Sequence, residues 1–170
     1  MSAAARRARA PDPGETFRTW RERATRGELP RLLLLLPPTS GEEEVWFAER
    51  LCAAARAGAR ARSGLELGDF DAGSPDFRPE LIEEFLGAPA LFTPTRALVI
   101  ERAGRALKRW SRLSETITRA LAAEGGPSWA VVHVDGAGGA TAAKALAAAV
   151  ETLGGEVLRF RSLYADPPPW

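Results

Sequence analysis

A loop that mixes glycine, hydroxyl and carboxylate residues, PPTSGEEE at positions 37–44, stands where α/β proteins carry a phosphate-binding loop. It follows a continuous apolar run, Arg31–Leu36, and precedes a helical pattern. A phosphate-binding loop needs flexible glycines to aim backbone N–H groups and a lysine for the β- and γ-phosphates. This loop has two prolines, one glycine, no lysine and three carboxylates. We therefore expect it to repel phosphate.

A second glycine-rich turn, from Gly136 to Thr141, superficially resembles a dinucleotide fingerprint. Thr141 stands where the third glycine belongs, and the motif lies far from the first strand–helix unit. A glycine turn into a helix capped by Thr141 is the interpretation that the sequence favours. A Rossmann-like nucleotide-binding module or enzyme using Gly136–Thr141 is the alternative, and dialysis against ATP and NAD would test it.

The remaining candidates for catalysis are few. Glu101-Arg102 closes an apolar run with an acid and a base, whereas a magnesium site for nucleotide hydrolysis favours acidic residues at such a strand end. His133 lies between valines and is expected to be a satisfied histidine of the core or of a sheet face. One histidine and one cysteine cannot form a zinc cluster, and no Gly-x-Ser-x-Gly elbow occurs. We expect no catalytic site, no cofactor, no metal and therefore no enzyme.

A pair of large apolar residues, Leu91-Phe92, lies between two helix breakers. The preceding helical pattern begins at Glu80, places Leu81, Phe85 and Leu86 on one face, and is interrupted by Gly87 and Pro89; Pro94 follows the pair. The pair either tucks under the sheet as a small satellite core, as most large apolar residues do, or protrudes into a pocket of another protein. Spacing alone leaves both possibilities open.

Strands and helices alternate along the chain. This pattern predicts an α/β fold, a mostly parallel five-stranded sheet with helices on both faces. The polar positions of the second strand predict that it lies at an edge. The predicted strands cover 31–36, 65–70, 97–100, 129–134 and 156–160, and the predicted helices cover 15–26, 42–60, 80 to the break at Gly87, 106–123 and 141–153.

The composition indicates one globular domain with extensions. The 170 residues are 45% hydrophobic and 26% charged, and the net charge of +1 gives no strong argument for direct nucleic-acid binding. We expect a disordered arm over 1–14, the α/β domain over 15–163 and a linker over 164–170. Residues 1–30 carry seven arginines against four acidic residues, so an arm that touches nucleic acid is a further hypothesis.

The lone cysteine, Cys52, excludes an internal disulfide and is expected to be a small buried residue in a reducing compartment. No segment approaches the roughly 20 apolar residues that span a bilayer. The N-terminal arginines are not followed by the apolar core of a secretory signal. We expect a cytoplasmic protein with no membrane partner.

The order of elements, together with four local motifs, resembles the N-terminal domain of the delta subunit of the bacterial clamp loader, part of the DNA polymerase III holoenzyme. The likeness covers about Phe17 to Trp170, and Pro169-Trp170 resembles the start of that family's second, helical domain. The motifs are Gly41-Glu42-Glu43 after the leucine strand, Leu91-Phe92 before Arg96-Ala97-Leu98-Val99-Ile100, Lys144-Ala145-Leu146 in the last helix, and Val157-Leu158-Arg159-Phe160 followed by Leu163.

The resemblance implies a degenerate P-loop NTPase, an AAA+-like domain I that binds no ATP. In that family a Leu-Phe pair is the wedge that enters the hydrophobic pocket of the ring-shaped sliding clamp, and here the pair is Leu91 and Phe92. The family often has a third apolar contact two residues earlier, where this chain has Pro89. The implied partners are the sliding clamp (beta subunit), the ATPase and delta-prime subunits of the loader, and DNA indirectly through the complex. The implied function is to help open the ring for loading onto DNA during replication.

Overall fold

The computed structural model describes residues 12–39, 42–88, 95–136 and 139–161. These residues form five strands and seven helices. The strands are β1 Leu32–Leu36, β2 Leu65–Asp71, β3 Thr95–Glu101, β4 Trp129–His133 and β5 Glu156–Arg159. The helices are α1 Pro13–Thr25, α2 Val45–Arg60, α3 Glu80–Gly87, α4 Gly104–Arg109, α5 Leu113–Ala122, α6 Gly139–Ala142 and α7 Lys144–Leu153.

The five strands form one sheet in the order β2-β3-β4-β1-β5, and every neighbouring pair is parallel. Leu33 of β1 is in register with Val131 of β4 on one side and with Glu156 of β5 on the other. The predicted mostly parallel five-stranded sheet with helices on both faces is therefore confirmed. β2 is the edge strand that its alternating polar residues indicated.

β1 is central because five consecutive leucines can be buried only where both faces of a sheet are covered. All five are buried. Leu33 and Leu35 face one apolar layer, which α1 and α2 cover, and Leu32, Leu34 and Leu36 face the other layer, which α3 to α7 cover. Pro30 and Pro37 stand on either side of β1 and limit its length.

On the first face, α1 begins two residues before the predicted start at Glu15. Asp12 is its N-cap, with a carboxylate oxygen that accepts a hydrogen bond from the N–H of Gly14 at 2.8 Å, and Pro13 fits the first helical position. Gly14, which we assigned to the arm, thus belongs to α1. Residues 1–11 of the predicted arm lie outside the described residues, as do 162–170, which are the last two residues of the predicted domain and the whole predicted linker.

The helix after β1 begins later than predicted. α2 starts at Val45, because Glu43 forms an antiparallel bridge with Arg161 and Glu44 adopts a non-helical N-cap conformation. The carboxylates at 42–44 therefore precede the helix. Cys52 is fully buried within α2, as the sequence predicted.

On the second face, two predicted helices are each divided. The expected helix over 106–123 is interrupted after α4, where Trp110 leaves the helical conformation (φ −117°, ψ 88°) and its ring packs edge-on against Phe77 at 5.9 Å. The expected helix over 141–153 is divided at Ala143 into α6 and α7. Neither break carries a proline or glycine, so local sequence gave no signal of it.

Candidate functional site

The segment that carries Pro89, Leu91 and Phe92 joins α3 to β3, and residues 89–94 lie outside the described part of the chain. The assignment of Leu91 and Phe92 as a wedge therefore remains a prediction. Both flanks are described. α3 ends at Gly87, and Ala88 turns to an extended conformation (φ −66°, ψ 135°) while its N–H donates to the carbonyl of Glu84 at 2.9 Å.

α3 is held to the sheet by Ile82, which is fully buried, with Phe85 and Leu86 half-buried beside it. The predicted face of Leu81, Phe85 and Leu86 is thus shifted by one residue, because Leu81 is only half-buried. Ile82 with Phe85 and Leu86 gives the i, i+3, i+4 spacing of a helix on a core.

Arg96, the second residue of β3, closes the base of this segment. Its side chain is only 4% exposed although the four residues that follow it on β3 are apolar. Nη1 donates to the carbonyl of Leu86 at 3.3 Å and to that of Ala88 at 3.1 Å. The Leu86 carbonyl belongs to the last turn of α3, where helices leave acceptors without internal partners, and Ala88 is the C-cap residue that follows. One side chain therefore connects the beginning of β3 to the end of α3.

The rest of the Arg96 guanidinium is held by an aromatic ring and an acid. Its carbon lies 4.3 Å from the centre of the Phe85 ring, and Nε lies 3.3 Å from a carboxylate oxygen of Glu66 on the edge strand. Glu66 is 46% exposed. The Phe85 ring packs over Gly68, where a Cβ would come within 2.6 Å of it. The contact with Glu66 is an ion pair without hydrogen-bond geometry, so among the described residues neither Nε nor Nη2 makes a hydrogen bond.

From the sequence, Arg96 was recognised only as part of a motif, and its contacts with the end of α3 were not predicted. The signal was available, since an arginine in an otherwise apolar strand must find partners for its donors. The carbonyl of Arg96 itself accepts from the backbone N–H of Ser128 at 2.7 Å and from its hydroxyl at 3.0 Å. The start of β3 is thereby fixed to the start of β4 as well.

Because the five strands are parallel, their amino ends share one edge of the sheet and their carboxyl ends share the other. The 89–94 segment is attached at the amino edge. The carboxyl edge is where open α/β sheets bind ligands, at the point where the chain reverses its direction across the sheet. Here that point lies between β1 and β4.

At the carboxyl edge, Glu43 occupies the crevice between β1 and β4. Its Oε1 lies 3.4 Å from Nε2 of His133, which ends β4 and is fully buried. The predicted burial of His133 is confirmed. The prediction that its ring nitrogens are satisfied holds only in part, because Nδ1 has no hydrogen-bond partner in the described chain. A carboxylate thus stands where a nucleotide would place phosphate.

The loop after β1 is tied to β5. Arg159 donates from Nη1 to the carbonyl of Pro37 at 2.5 Å, and the N–H of Glu44 donates to the carbonyl of Phe160 at 3.1 Å. Together with the bridge between Glu43 and Arg161, these bonds hold both ends of the loop. Ser40 and Gly41 lie outside the described residues.

The ends of β3 and β4 are also engaged within the protein. Glu101 pairs with Arg56 at 2.8 Å, and Arg102 forms a two-pronged ion pair with Asp71. Asp135 accepts from the N–H of Gly104 at 3.0 Å at the start of α4. Within the described ranges, no group of three or more histidine, cysteine or acidic side chains is placed to hold a metal ion.

Four pKa values are shifted, three of them by these ion pairs and one by burial. The hydrogen bond from Arg102 is the largest influence on Asp71 and lowers the pKa of its carboxyl, and the same bond raises the pKa of Arg102. The hydrogen bond to Glu101 raises the pKa of Arg56, with Asp69 adding to it. Burial raises the pKa of the Cys52 thiol well above its usual value. None of these groups is an acid or base poised near neutral pH.

The glycine turn after β4 differs from the expected helix cap. Gly136 has φ +79°, and the N–H of Gly139 donates to its carbonyl at 3.0 Å, which starts α6 at Gly139. Thr141 lies inside α6 and is exposed, so its assignment as the cap was wrong. α6 has only four residues and aligns too few peptide dipoles to bind a phosphate strongly. Residues 137 and 138 lie outside the described residues.

The geometry defines an α/β domain with a parallel sheet, a carboxyl edge whose charged side chains are paired within the protein, and an amino edge at which Arg96 links the end of α3 to β3. No protein-family model and no curated protein sequence matches this chain. Among solved structures, the chain is similar to the ORC2 protein of Aeropyrum pernix in its ADP form, with 13% identity and a TM-score of 0.48. The match covers 95% of this chain and 50% of that one, so the chain spans about half the length of that protein. Of the helices described, none is both long and apolar enough to cross a bilayer.

Proposed function

We propose that this chain is a non-catalytic clamp-loader subunit of the delta type, which binds the sliding clamp of DNA replication through Leu91 and Phe92. The observation that carries the proposal is the attachment of the Leu-Phe segment. The segment joins α3 to β3 at the amino edge of the sheet, and Arg96 connects its two flanks. Gly87 and Ala88, which lead into the segment, are exposed.

The sheet topology supports the AAA+-like part of the proposal. Read from β5, the strand order is 5-1-4-3-2 with all strands parallel, so the order reverses between β1 and β4 as in doubly wound α/β sheets that bind nucleotides. The loop after β1 then has the position of the phosphate-binding loop. Topology alone does not specify function, and the Leu-Phe motif supplies the finer assignment.

The carboxyl edge supports a subunit that does not hydrolyse ATP. The crevice between β1 and β4 contains the Glu43 carboxylate, and the loop after β1 carries no lysine. Phosphate placed there would meet negative charge in place of the donors that nucleotide loops provide. The energy for loading would come from the ATPase subunits, with delta-prime as a further partner and DNA reached through the complex in the cytoplasm.

The mechanism is differential binding. Two large apolar side chains that enter a pocket act as interface anchors, and their burial contributes a few kcal/mol at about 25 cal/mol per Å². A wedge that fits the clamp better when one ring interface is sprung shifts the population toward the open ring. No chemical step by this chain is needed.

The test is equilibrium binding of the wild-type chain to the sliding clamp from the same source. Leu91→Ala combined with Phe92→Ala is expected to weaken binding by at least about 100-fold, since two anchors are removed. A matched control is Val45→Ala combined with Trp46→Ala, which truncates two exposed apolar residues near the other edge. This control is expected to keep wild-type affinity and to show that general loss of surface apolarity is not responsible.

Absence of clamp binding by the wild-type chain would refute the proposal. The alternative, a nucleotide-binding module using Gly136–Thr141, predicts a different result. Equilibrium dialysis would then show tight binding of ATP or NAD, and that binding would be lost on Gly136→Val.

A further inference from the structure

We propose that Arg96 is a positioning residue for the clamp-binding segment, a role that rests on the proposed function. Its guanidinium links the chain entering the segment to the strand that leaves it. The residue does not contact the clamp in this proposal. It acts through the Leu-Phe pair, by fixing the relative position of the two ends of the segment that presents that pair.

The contacts on each side of the segment carry the inference. Arg96 belongs to β3 and is paired there with Glu66 of β2, while its carbonyl accepts from Ser128. Its side chain reaches the carbonyls of Leu86 and Ala88 at 3.3 and 3.1 Å. The described chain on the two sides of residues 89–94 is therefore joined by two hydrogen bonds from one charged group.

The energetics favour such a role over simple packing. A charged side chain at 4% exposure carries a desolvation cost, and the nearby acid, Glu66, is half in solvent. An aliphatic residue would fill a buried strand position without that cost. What the arginine adds is hydrogen bonding to two carbonyls at the end of α3, with the Phe85 ring holding its plane.

Fixing the ends of a loop lowers the cost of ordering it on binding. When the two flanks of a segment are not joined, they lose conformational freedom as the segment docks, and this entropic cost reduces affinity. With Arg96 in place, the two flanks are already fixed in the folded protein, so their conformational entropy is lost during folding and not on binding. Replacement of Arg96 should therefore weaken clamp binding without removing any contact to the clamp.

Lysine is the informative substitution because it keeps the charge and most of the stem but lacks the planar fork. Arg96→Lys is expected to weaken clamp binding about tenfold, the equivalent of one charge-assisted hydrogen bond. The matched control is Arg31→Met. Arg31 also donates to a helix-end carbonyl, that of Leu121 at 2.6 Å, but it precedes β1, two strands away in the sheet. It is expected to change clamp affinity less than about twofold.

A double-mutant cycle separates positioning from a clamp contact of its own. In a Leu91→Ala background, Arg96→Lys is expected to lose less than about threefold, since the group it positions is already truncated. Two results would overturn the inference and leave the proposed function intact. One is that the affinity losses of Leu91→Ala and Arg96→Lys multiply in the double variant. The other is that Arg96→Lys binds the clamp as tightly as a wild type that binds normally. A wild type that does not bind the clamp would instead refute the proposed function and this inference with it.

Amide hydrogen exchange tests the positioning without the clamp. Arg96→Lys is expected to accelerate exchange at Ala88, whose N–H donates to the carbonyl of Glu84, while the central Val131 amide keeps its wild-type rate. Equal acceleration at both places would mean a general structural role and contradict the inference. Should Arg96→Lys fail to fold, Phe85→Leu, which removes the ring beneath the guanidinium, is measured in the same way and is expected to give the same local pattern.

Discussion

Arg56 connects α2 to the sheet through two ion pairs. On α2, it lies between Asp69 of β2 and Glu101 of β3, at 2.7 and 2.8 Å, with its side chain 18% exposed. The Glu101 hydrogen bond raises the pKa of Arg56, so the guanidinium stays charged at every pH of interest. The helix is thus fixed to two strands by one cation.

Removing that cation should be costly. Arg56→Met is expected to lower the free energy of unfolding by about 2 kcal/mol, because it leaves two partly buried carboxylates without their partner. Arg60→Met serves as the control, since Arg60 approaches Asp69 only to 3.7 Å and is 70% exposed, and it is expected to cost less than about 0.5 kcal/mol. Urea unfolding measures both, and equal effects would contradict the assigned network.

Asp71 gives the protein a stability term that depends on pH. Arg102, followed by the N–H of Gly73, lowers the pKa of this carboxyl below its usual 3.8. A carboxyl whose pKa is lowered by folding stabilises the fold above its unfolded-state pKa, and this stabilisation is lost as the pH falls through the folded-state pKa.

Asp71→Asn is therefore expected to lower the free energy of unfolding by about 0.5 kcal/mol near neutral pH, a small value because the pair is exposed. Asparagine keeps an oxygen for the Gly73 N–H, so the difference isolates the ion pair. Urea unfolding of wild type and variant should converge at pH values well below 3.8. A difference that widens on acidification would contradict the assignment.

At the scale of elements, α1 and α2 meet closely enough to exclude a side chain. A Cβ on Gly58 of α2 would lie 2.2 Å from the carbonyl oxygen of Ala24 in α1. The contact is backbone against backbone, so neither partner can move without separating the two helices. This packing covers one complete face of the sheet.

Gly58→Ala is thus expected to destabilise the protein by about 1–3 kcal/mol, because overpacking outweighs the better helix propensity of alanine. Gly87→Ala, at the last position of α3 with nothing within 4 Å of the added Cβ, is expected to be neutral or stabilising by about 0.5 kcal/mol. Thermal and urea unfolding should show a lower free energy of unfolding for Gly58→Ala and an equal or higher one for Gly87→Ala. Stabilisation by Gly58→Ala would mean that the helices lie farther apart.

The strands were predictable from local pattern, and the helix boundaries were not. The leucine run identifies β1, the valine run identifies β4 and the polar alternation identifies β2, because each pattern indicates how many faces of a strand are buried. The break at Trp110 depends on a ring contact with Phe77, 33 residues earlier in the chain, and the late start of α2 depends on Arg161. Such distant partners leave no trace in local periodicity.

At the scale of the molecule, strand order was beyond the sequence, since period-two patterns do not say which strands are neighbours. The candidate site divides in the same way. The Leu-Phe pair and the lysine-free loop were visible as sequence, whereas the Glu43–His133 contact and the Arg96 closure connect residues 90 and 8 to 10 positions apart. The sheet brings these residues together, with the Glu43–His133 contact at its carboxyl edge and the Arg96 contacts at its amino edge.

Photocrosslinking from position 92 tests the central claim most directly. A photoreactive phenylalanine analogue in place of Phe92, irradiated with the sliding clamp, is expected to form a crosslink to a hydrophobic pocket on the clamp surface. The same analogue in place of Trp46, an exposed aromatic elsewhere on the domain, is expected to form none. A crosslink from position 92 only to the chain's own core would contradict the account.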